Sequence, residues 1–107
     1  MREAQVSAAF RALADPTRRR LFERLVKSGE LSISALTDGS GVSQPAVSQH
    51  VATLKSAGLV RMRRDGRLTH YAPRPAGLAP LVDWFTAYGE FWRERFDRLE
   101  KLLEEMD

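Results

Sequence analysis

The segment from residue 42 to residue 60, VSQPAVSQHVATLKSAGLV, restricts the fold more than any other part of the chain. Its apolar side chains, Val47, Val51 and Leu54, recur at helical spacing. On a helical wheel Val51 and Leu54 lie within about 40° of Val47. Ser43 is a favourable N-cap, Pro45 is tolerated in a first turn, and Gly58 suits the left-handed residue that ends a helix. A helix with one buried and one polar face is therefore predicted.

Three further helices are predicted before this segment. Apolar residues at helical spacing indicate the first helix over about residues 4–14. Asp15 can cap the second helix, which stops near Gly29, and Ser32 can cap a short third one. The glycine-rich residues 38–41 then form a turn. Two helices joined across such a turn have the outline of a helix-turn-helix.

A β-hairpin is predicted directly after the helix-turn-helix. LVRMRR and RLTHYA flank Asp65-Gly66, and Asp-Gly between extended runs favours a two-residue turn. With Asp65-Gly66 as the loop, three cross-strand pairs follow: Arg64 with Arg67, Met62 with Thr69, and Val60 with Tyr71. This register places one set of side chains inward, namely Val60, Met62 and Tyr71. It places another set outward, namely Arg61, Arg63, Leu68 and His70.

A long last helix is predicted over about residues 78–105, after Pro73 and Pro75 break the chain. Its length would be about 40 Å. One row of mostly apolar residues alternates steps of four and three, which is the spacing of a heptad seam. The row comprises Leu78, Val82, Phe85, Gly89, Trp92, Phe96, Leu99, Leu103 and Met106.

So much apolar surface on a short chain predicts self-association, since exposed patches of that size usually mark an interface. The predicted dimer surface on the last helix comprises Leu78, Val82, Phe85, Gly89, Trp92 and Phe96. The alternative is that the last helix folds back onto its own domain as one more core element.

The fold class predicted for residues 1–107 is a single domain, mainly α with a small β-hairpin. The order is four helices, two strands and a helix, as in a winged helix-turn-helix. The chain has no cysteine, which excludes thiolate metal sites and disulfides. Neither a membrane span nor a signal-peptide core is found, so the cytoplasm is the expected location. No catalytic motif occurs, and an enzyme is not expected.

Charge and side-chain chemistry indicate double-stranded DNA as the partner. Residues 1–75 hold 13 Lys and Arg against 6 Asp and Glu, whereas residues 76–107 hold 4 against 8. The exposed arc of the fourth helix is narrow and polar, so it fits a major groove, where Gln and Ser can pair with base edges. Lysine and the hairpin arginines suit phosphates or the minor groove. The predicted DNA-binding residues are Ser43, Gln44, Pro45, Ser48, Gln49, Lys55, Arg63, Arg64 and Arg67.

Three motifs give the chain a resemblance to the ArsR family of winged-helix transcriptional repressors. They are FRALADPTRRRLFERL (10–25), GVSQPAVSQHVATLKSAGLV (41–60) and RRDGRLTHYAP (63–73). The resemblance implies a homodimeric repressor whose first and last helices form the interface, which adds Val6 and Phe10 of the first helix to the predicted interface residues. It also implies that the helix after Ser43 recognises a palindromic operator, with residues 60–72 as the wing.

The chain departs from the metal-sensing members of that family. The third helix carries Ile33 and Ala35 where founding members have a Cys-x-Cys motif, and the last helix has no histidine. The chain therefore resembles a cysteine-free branch, and neither a metal nor a cofactor is expected. The aromatic last helix is compatible with a small-molecule inducer, although nothing in the sequence supports one. The alternative function is a dimeric winged-helix protein-interaction module that does not read DNA sequence.

Overall fold

The computed structural model describes the backbone of residues 2–106 and the side chains of residues 3–106. This part of the chain forms five α-helices, three short strands and a 3-10 turn. In order they are α1 (Arg2–Ala14), α2 (Pro16–Ser28), β1 (Leu31–Ser32), α3 (Ile33–Thr37), α4 (Gln44–Ser56), β2 (Val60–Asp65), β3 (Leu68–Pro73), the 3-10 turn (Pro75–Leu78) and α5 (Ala79–Glu105). The predicted winged helix-turn-helix fold is confirmed.

Side-chain caps begin three of the helices, as the sequence predicts. The carboxylate of Asp15 accepts a hydrogen bond from the Arg18 N–H at 2.9 Å. The hydroxyl oxygens of Ser32 and Ser43 accept hydrogen bonds from the backbone N–H three residues later, at 3.1 and 3.3 Å. Each cap satisfies a backbone donor that has no partner within its helix, so the starts of α2, α3 and α4 are fixed locally.

Arginines of α2 bind the carbonyl ends of neighbouring helices. Arg18 donates to Ala12 O at 2.6 Å, and Arg19 donates to Leu13 O at 2.8 Å, both at the end of α1. Arg24 donates to the carbonyls of Leu36 and Ala35 at the end of α3, at 2.6 and 2.9 Å. Cations are favourable at helix C-termini, where carbonyls lack partners. These side chains therefore tie α1 and α3 to α2.

The hairpin has a third strand and a register that differs from the prediction. The strand order is β1-β3-β2, with both pairings antiparallel. Arg64 pairs with Thr69, Met62 with Tyr71, and Val60 with Pro73. The two-residue loop is therefore Gly66-Arg67, not Asp65-Gly66. Gly66 has φ 62°, and Arg67 is not in the positive-φ region.

This turn conformation explains the wrong register. A turn with positive φ only at its first central position takes glycine there, as in type II′, whereas the predicted type I′ turn would require positive φ at Asp65 as well. Burial also departs from the prediction in part: Val60 and Ala72 are buried, but Met62 is 40% exposed, so its inward placement was wrong. The outward placement of His70 is wrong in part, because this side chain is half-buried.

The core lies between α1–α4 and the base of the sheet. Its largest fully buried side chains come mainly from α2 and α4, with one from α3 and one from the residue before β2; they are Leu21, Leu25, Leu36, Val47, Val51, Leu54 and Leu59. Burying a leucine of this kind stabilises the fold by roughly 2 kcal/mol. α5 contributes only Leu81 as a buried residue, and it packs beside α1, where Phe10 meets Trp84 edge-to-face at 5.3 Å.

The start of α5 is joined tightly to the end of α4. Gly58 ends α4 with φ 79°, and its carbonyl accepts a hydrogen bond from the Arg74 guanidinium at 3.2 Å. Arg74 N–H donates to Leu59 O at 2.8 Å. A Cβ atom on Gly77 would lie 1.9 Å from Gly58 O. Only glycine allows this approach, so the 3-10 turn lies directly against the end of α4.

Candidate nucleic-acid interface

The polar face of α4 is open to solvent along the first half of the helix. Ser43, Gln44, Pro45, Ser48 and Gln49 are all exposed. The opposite face is fully buried, because the stripe of Val47, Val51 and Leu54 anchors the helix in the core. The helix therefore presents a rigid, narrow ridge of amides and hydroxyls, and such a ridge fits a major groove about 12 Å wide.

A groove of about 340 Å³ lies between α4, α3 and the hairpin. Gln44 and Ser48 line one wall of this groove, and Arg67 lines the other. The structure thus brings together three of the residues predicted to bind DNA, from two different elements. Ser34 and Thr69 line the same groove. The sequence pattern does not single out these two, although strand alternation places Thr69 on the same face as Tyr71.

The other six members of the predicted DNA-binding set do not line this groove; they are Ser43, Pro45, Gln49, Lys55, Arg63 and Arg64. Lys55 is exposed near the other end of α4, about 16 Å along the helix from Gln44. Arg63 donates a hydrogen bond from Nη2 to Oε1 of Glu30 at 2.6 Å, and its Nη1 lies 3.8 Å from Asp65 Oδ2. The Arg63 hydrogen bond lowers the pKa of Glu30 below its ordinary value and raises the pKa of Arg63.

The remaining hairpin arginines form no ion pair with the described side chains. Arg61, Arg64 and Arg67 are exposed, and none forms an ion pair with another of the side chains described in residues 3–106. Uncompensated like charges on one small hairpin repel each other. Phosphate groups would relieve that repulsion and release counterions, which favours a polyanion at this surface.

The chemistry available on α4 suits both bases and phosphates. Each glutamine offers an amide that both donates and accepts, so it can bond to the paired donor and acceptor of an adenine edge. The Ser43 oxygen already accepts from Ala46 N–H, but its O–H proton remains able to donate to a phosphate. The helix dipole also favours an anion at this end of α4.

Neither a metal-binding cluster nor a membrane-spanning helix occurs in the described part of the molecule. Residues 2–106 contain no group of three or more His, Cys, Asp and Glu side chains that could hold a metal ion. Within that range, no helix combines the length and the apolar character that crossing a membrane requires.

A second surface is apolar and runs along α5. Phe85 is 56% exposed, Trp92 51% and Phe96 64%, whereas Val6 and Leu78 of the predicted interface are half-buried against the core. Phe10 connects α1 to this surface through ring contacts with Trp84 and Phe85. Gly89 has no heavy atom within 4 Å of the place its Cβ would occupy. The distal half of α5 contributes nothing to the buried core among the described residues.

Comparison with known proteins gives consistent matches. A family profile described as a helix-turn-helix domain matches residues 13–63. An HTH-type transcriptional regulator of Mycobacterium tuberculosis is 41% identical over 96 residues, which cover 90% of this chain and 86% of that protein. A probable mercury resistance operon repressor of Streptomyces lividans is 43% identical over 76 residues, covering 68% of this chain but only 60% of its own length.

Solved structures agree with the sequence matches. The crystal structure of an ArsR family transcriptional regulator superposes with a TM-score of 0.76 at 28% identity. The superposition covers 85% of this chain and 93% of that one. The agreement therefore extends over most of both chains.

Proposed function

Because this chain belongs to the ArsR family of winged-helix transcriptional regulators, we propose that it binds a palindromic operator as a homodimer and represses transcription by occupying it. The relatives establish the coarser statement, a DNA-binding transcriptional regulator, and they confirm the prediction that the protein is not an enzyme. Repression is proposed because relatives are named as operon repressors. The proposed location is the cytoplasm, together with the DNA.

One observation carries the proposal: the exposed face of α4 and Arg67 of the hairpin line a single groove. In the proposed complex, Gln44, Ser48 and Gln49 read base edges in the major groove, and Pro45 contacts the groove wall. Ser43, Lys55, Arg64 and Arg67 hold phosphates or enter the minor groove. Arg63 belongs to the predicted set too, but its guanidinium is already bound to the carboxylate of Glu30.

Dimerisation is the reason why we propose an operator with twofold symmetry. The supporting observation is the row of exposed aromatic side chains on α5, which is continuous with Phe10 of α1. Two copies paired through this surface would present two copies of α4. Half-sites one helical turn apart, about 34 Å, would then be read together, and an operator with twofold symmetry would be preferred.

The mercury in the name of the Streptomyces lividans relative is not carried over to this chain. The chain has no cysteine, and α3 carries Ile33 and Ala35 where a thiolate pair would be needed. Soft-metal ions require such ligands. We therefore propose no metal inducer, and we assign no small-molecule inducer.

The proposal is tested by selecting bound sites from a random DNA pool and then comparing variants on the selected operator. Gln44→Ala and Ser48→Ala are each expected to cost about 1–3 kcal/mol on the operator, because each removes a base contact. On random DNA the same variants are expected to bind almost as well as the wild type. Titration by fluorescence anisotropy at one fixed salt concentration measures both affinities.

Two outcomes would contradict this proposal. The first is selection that yields no sequence preference, which would indicate an interaction module in place of a DNA reader. The second is an equal loss on operator and random DNA in the two variants, which would mean that α4 contacts only the backbone. Thr53→Ala, an exposed change on α4 outside the polar arc, serves as the matched control and is expected to leave both affinities unchanged.

A further inference from the structure

A charged cluster lies on the face of the sheet that points away from α4. Glu30, in the loop before β1, binds Arg63 of β2 at 2.6 Å and lies 3.8 Å from the Nδ1 atom of His70 in β3. Arg63 pairs with His70 across β2 and β3, and His70 pairs with Ser32 across β3 and β1. The Arg63 side chain therefore reaches across the middle strand and connects the two outer parts of the sheet.

This connection lies where the sheet loses its third strand. β1 has only two residues, and its last pair is Ser32 with His70. Beyond that point, residues 64–69 continue as a two-stranded hairpin with no third strand paired to it. Isolated two-stranded hairpins are marginally stable in water. The Glu30–Arg63 bond thus fastens the hairpin at the base of its unsupported part.

The charge on Arg63 is compensated by carboxylates, whereas the charge on Arg64 is not, among the described side chains. Alternation along β2 places Arg64 on the opposite face, with Thr69 and the groove beside α4. Arg63 lies between the carboxylates of Glu30 and Asp65, whereas Arg64 has no ion pair among the described side chains. A phosphate would have to displace an existing carboxylate from Arg63 but could bind Arg64 directly.

We propose that Glu30 is a positioning residue for DNA recognition, acting through Arg63 to hold the hairpin at a fixed angle to α4. Arg63 stays on Glu30 in the complex, and phosphate binding falls to Arg64 and Arg67. The inference rests on the proposed DNA-binding function. It implies that the Glu30–Arg63 bond contributes to discrimination between operator and random DNA, because only the operator requires α4 and the hairpin to fit at once.

The test compares Glu30→Gln, Arg63→Ala and the double variant on operator and random DNA at several salt concentrations. The ratio of the two affinities is the main readout, because long-range charge effects act on both DNAs alike and cancel. Each single variant is expected to lower this ratio about two- to fivefold, as is typical when one exposed ion pair is lost. The double variant is expected to match the singles, because both changes remove the same bond.

Arg64→Ala is the matched control, because it removes a neighbouring arginine of the same charge. It is expected to weaken binding to both DNAs equally and to reduce the log–log salt slope by about 0.9 per protomer. Arg63→Ala is expected to leave that slope unchanged. The exchanged pair, Glu30→Arg with Arg63→Glu, is expected to restore the ratio. A phosphate-binding role for Arg63 could not be restored in this way.

Hydrogen exchange provides a readout that does not involve DNA. Amides in residues 64–69 are expected to exchange faster in Glu30→Gln than in the wild type, while those of α2 and α4 stay protected. An unchanged ratio in Glu30→Gln, a salt slope in Arg63→Ala that falls as in Arg64→Ala, or unaltered exchange would each overturn the inference. A wild-type protein with no operator preference would instead show that the proposed function fails, whatever the exchange result.

Discussion

Asp15 stabilises the start of α2 through its charge as well as its shape. Its carboxylate accepts from Arg18 N–H, and this hydrogen bond lowers its pKa below the ordinary value of 3.8. A carboxyl whose pKa is lower in the folded state contributes stability above its unfolded pKa and loses it as the pH falls through the folded pKa. The contribution of Asp15 is therefore present at neutral pH and absent in strong acid.

Asp15→Ala is expected to lower the melting temperature at pH 7, because the first turn of α2 loses its cap. Asp15→Asn is expected to lower it less, since asparagine caps helices about as well but carries no charge. The gap between wild type and Asp15→Asn is expected to close as the pH falls towards about 2. Melting followed by circular dichroism across that range measures both effects, and a gap independent of pH would contradict the role of the charge.

Local sequence was sufficient to predict some residue roles and insufficient for others. The caps at Asp15, Ser32 and Ser43 depend on backbone groups three residues away, so spacing alone reveals them. The bonds from Arg24 to α3 and from Arg63 to Glu30 span 11 or more positions, up to 33. Such contacts depend on how elements pack and on long, flexible side chains, and no local pattern encodes them.

Among the elements, the 3-10 turn has the strictest packing requirement. Gly77→Ala would bring a Cβ to within 1.9 Å of Gly58 O, so the backbone must move. We expect the variant to lose roughly 1–3 kcal/mol of unfolding free energy, as overpacked sites do. Urea denaturation measures this loss. Ala76→Ser, an exposed change in the same turn, is the control and is expected to stay within about 0.5 kcal/mol of wild type.

If Gly77→Ala were as stable as the wild type, the close contact between the turn and the end of α4 would not exist in solution. The prediction therefore tests the junction itself and not glycine in general. It also bears on DNA binding, because this junction connects α4 to α5.

Elements were predictable in type but not in every pairing. The helices follow from apolar periodicity and caps, and Asp-Gly correctly indicated a hairpin between residues 59 and 72. The register depends on whether the two-residue loop is Asp65-Gly66 or Gly66-Arg67, and the local sequence is compatible with both loops. β1 has two residues, too few for a pattern, and it forms because Leu31 and Ser32 lie beside β3 once α2 has packed.

The molecule as a whole is elongated, with extents of 64, 33 and 20 Å, because α5 projects from the compact part. Phe85→Glu with Trp92→Glu is expected to give monomers that keep their secondary structure, since both rings are more than half exposed in one copy. These monomers are expected to bind the operator much more weakly, because the two half-sites are no longer linked. Sedimentation velocity measures the association state.

Arg93→Glu is the control for this experiment, since it adds the same charge at an exposed position on α5 outside the apolar row. It is expected to remain dimeric. Dimers that persist in Phe85→Glu with Trp92→Glu would place the interface elsewhere. The sequence predicted the apolar row from its heptad spacing, but the half-burial of Leu78 in the domain became visible only once the 3-10 turn was placed.

The Gly58 carbonyl accepts a hydrogen bond from Arg74, and Gly77 lies in close contact with the same carbonyl. These contacts make a rigid joint between the end of α4 and the start of α5. If two copies pair through α5, the angle of each α4 to the dimer axis is set by this joint together with the packing of α5 on α1. The distance and the angle between the two α4 helices of the dimer would then be fixed. Each base pair added at the operator's centre would rotate one half-site relative to the other by about 34–36°. A dimer with a rigid joint could not follow that rotation.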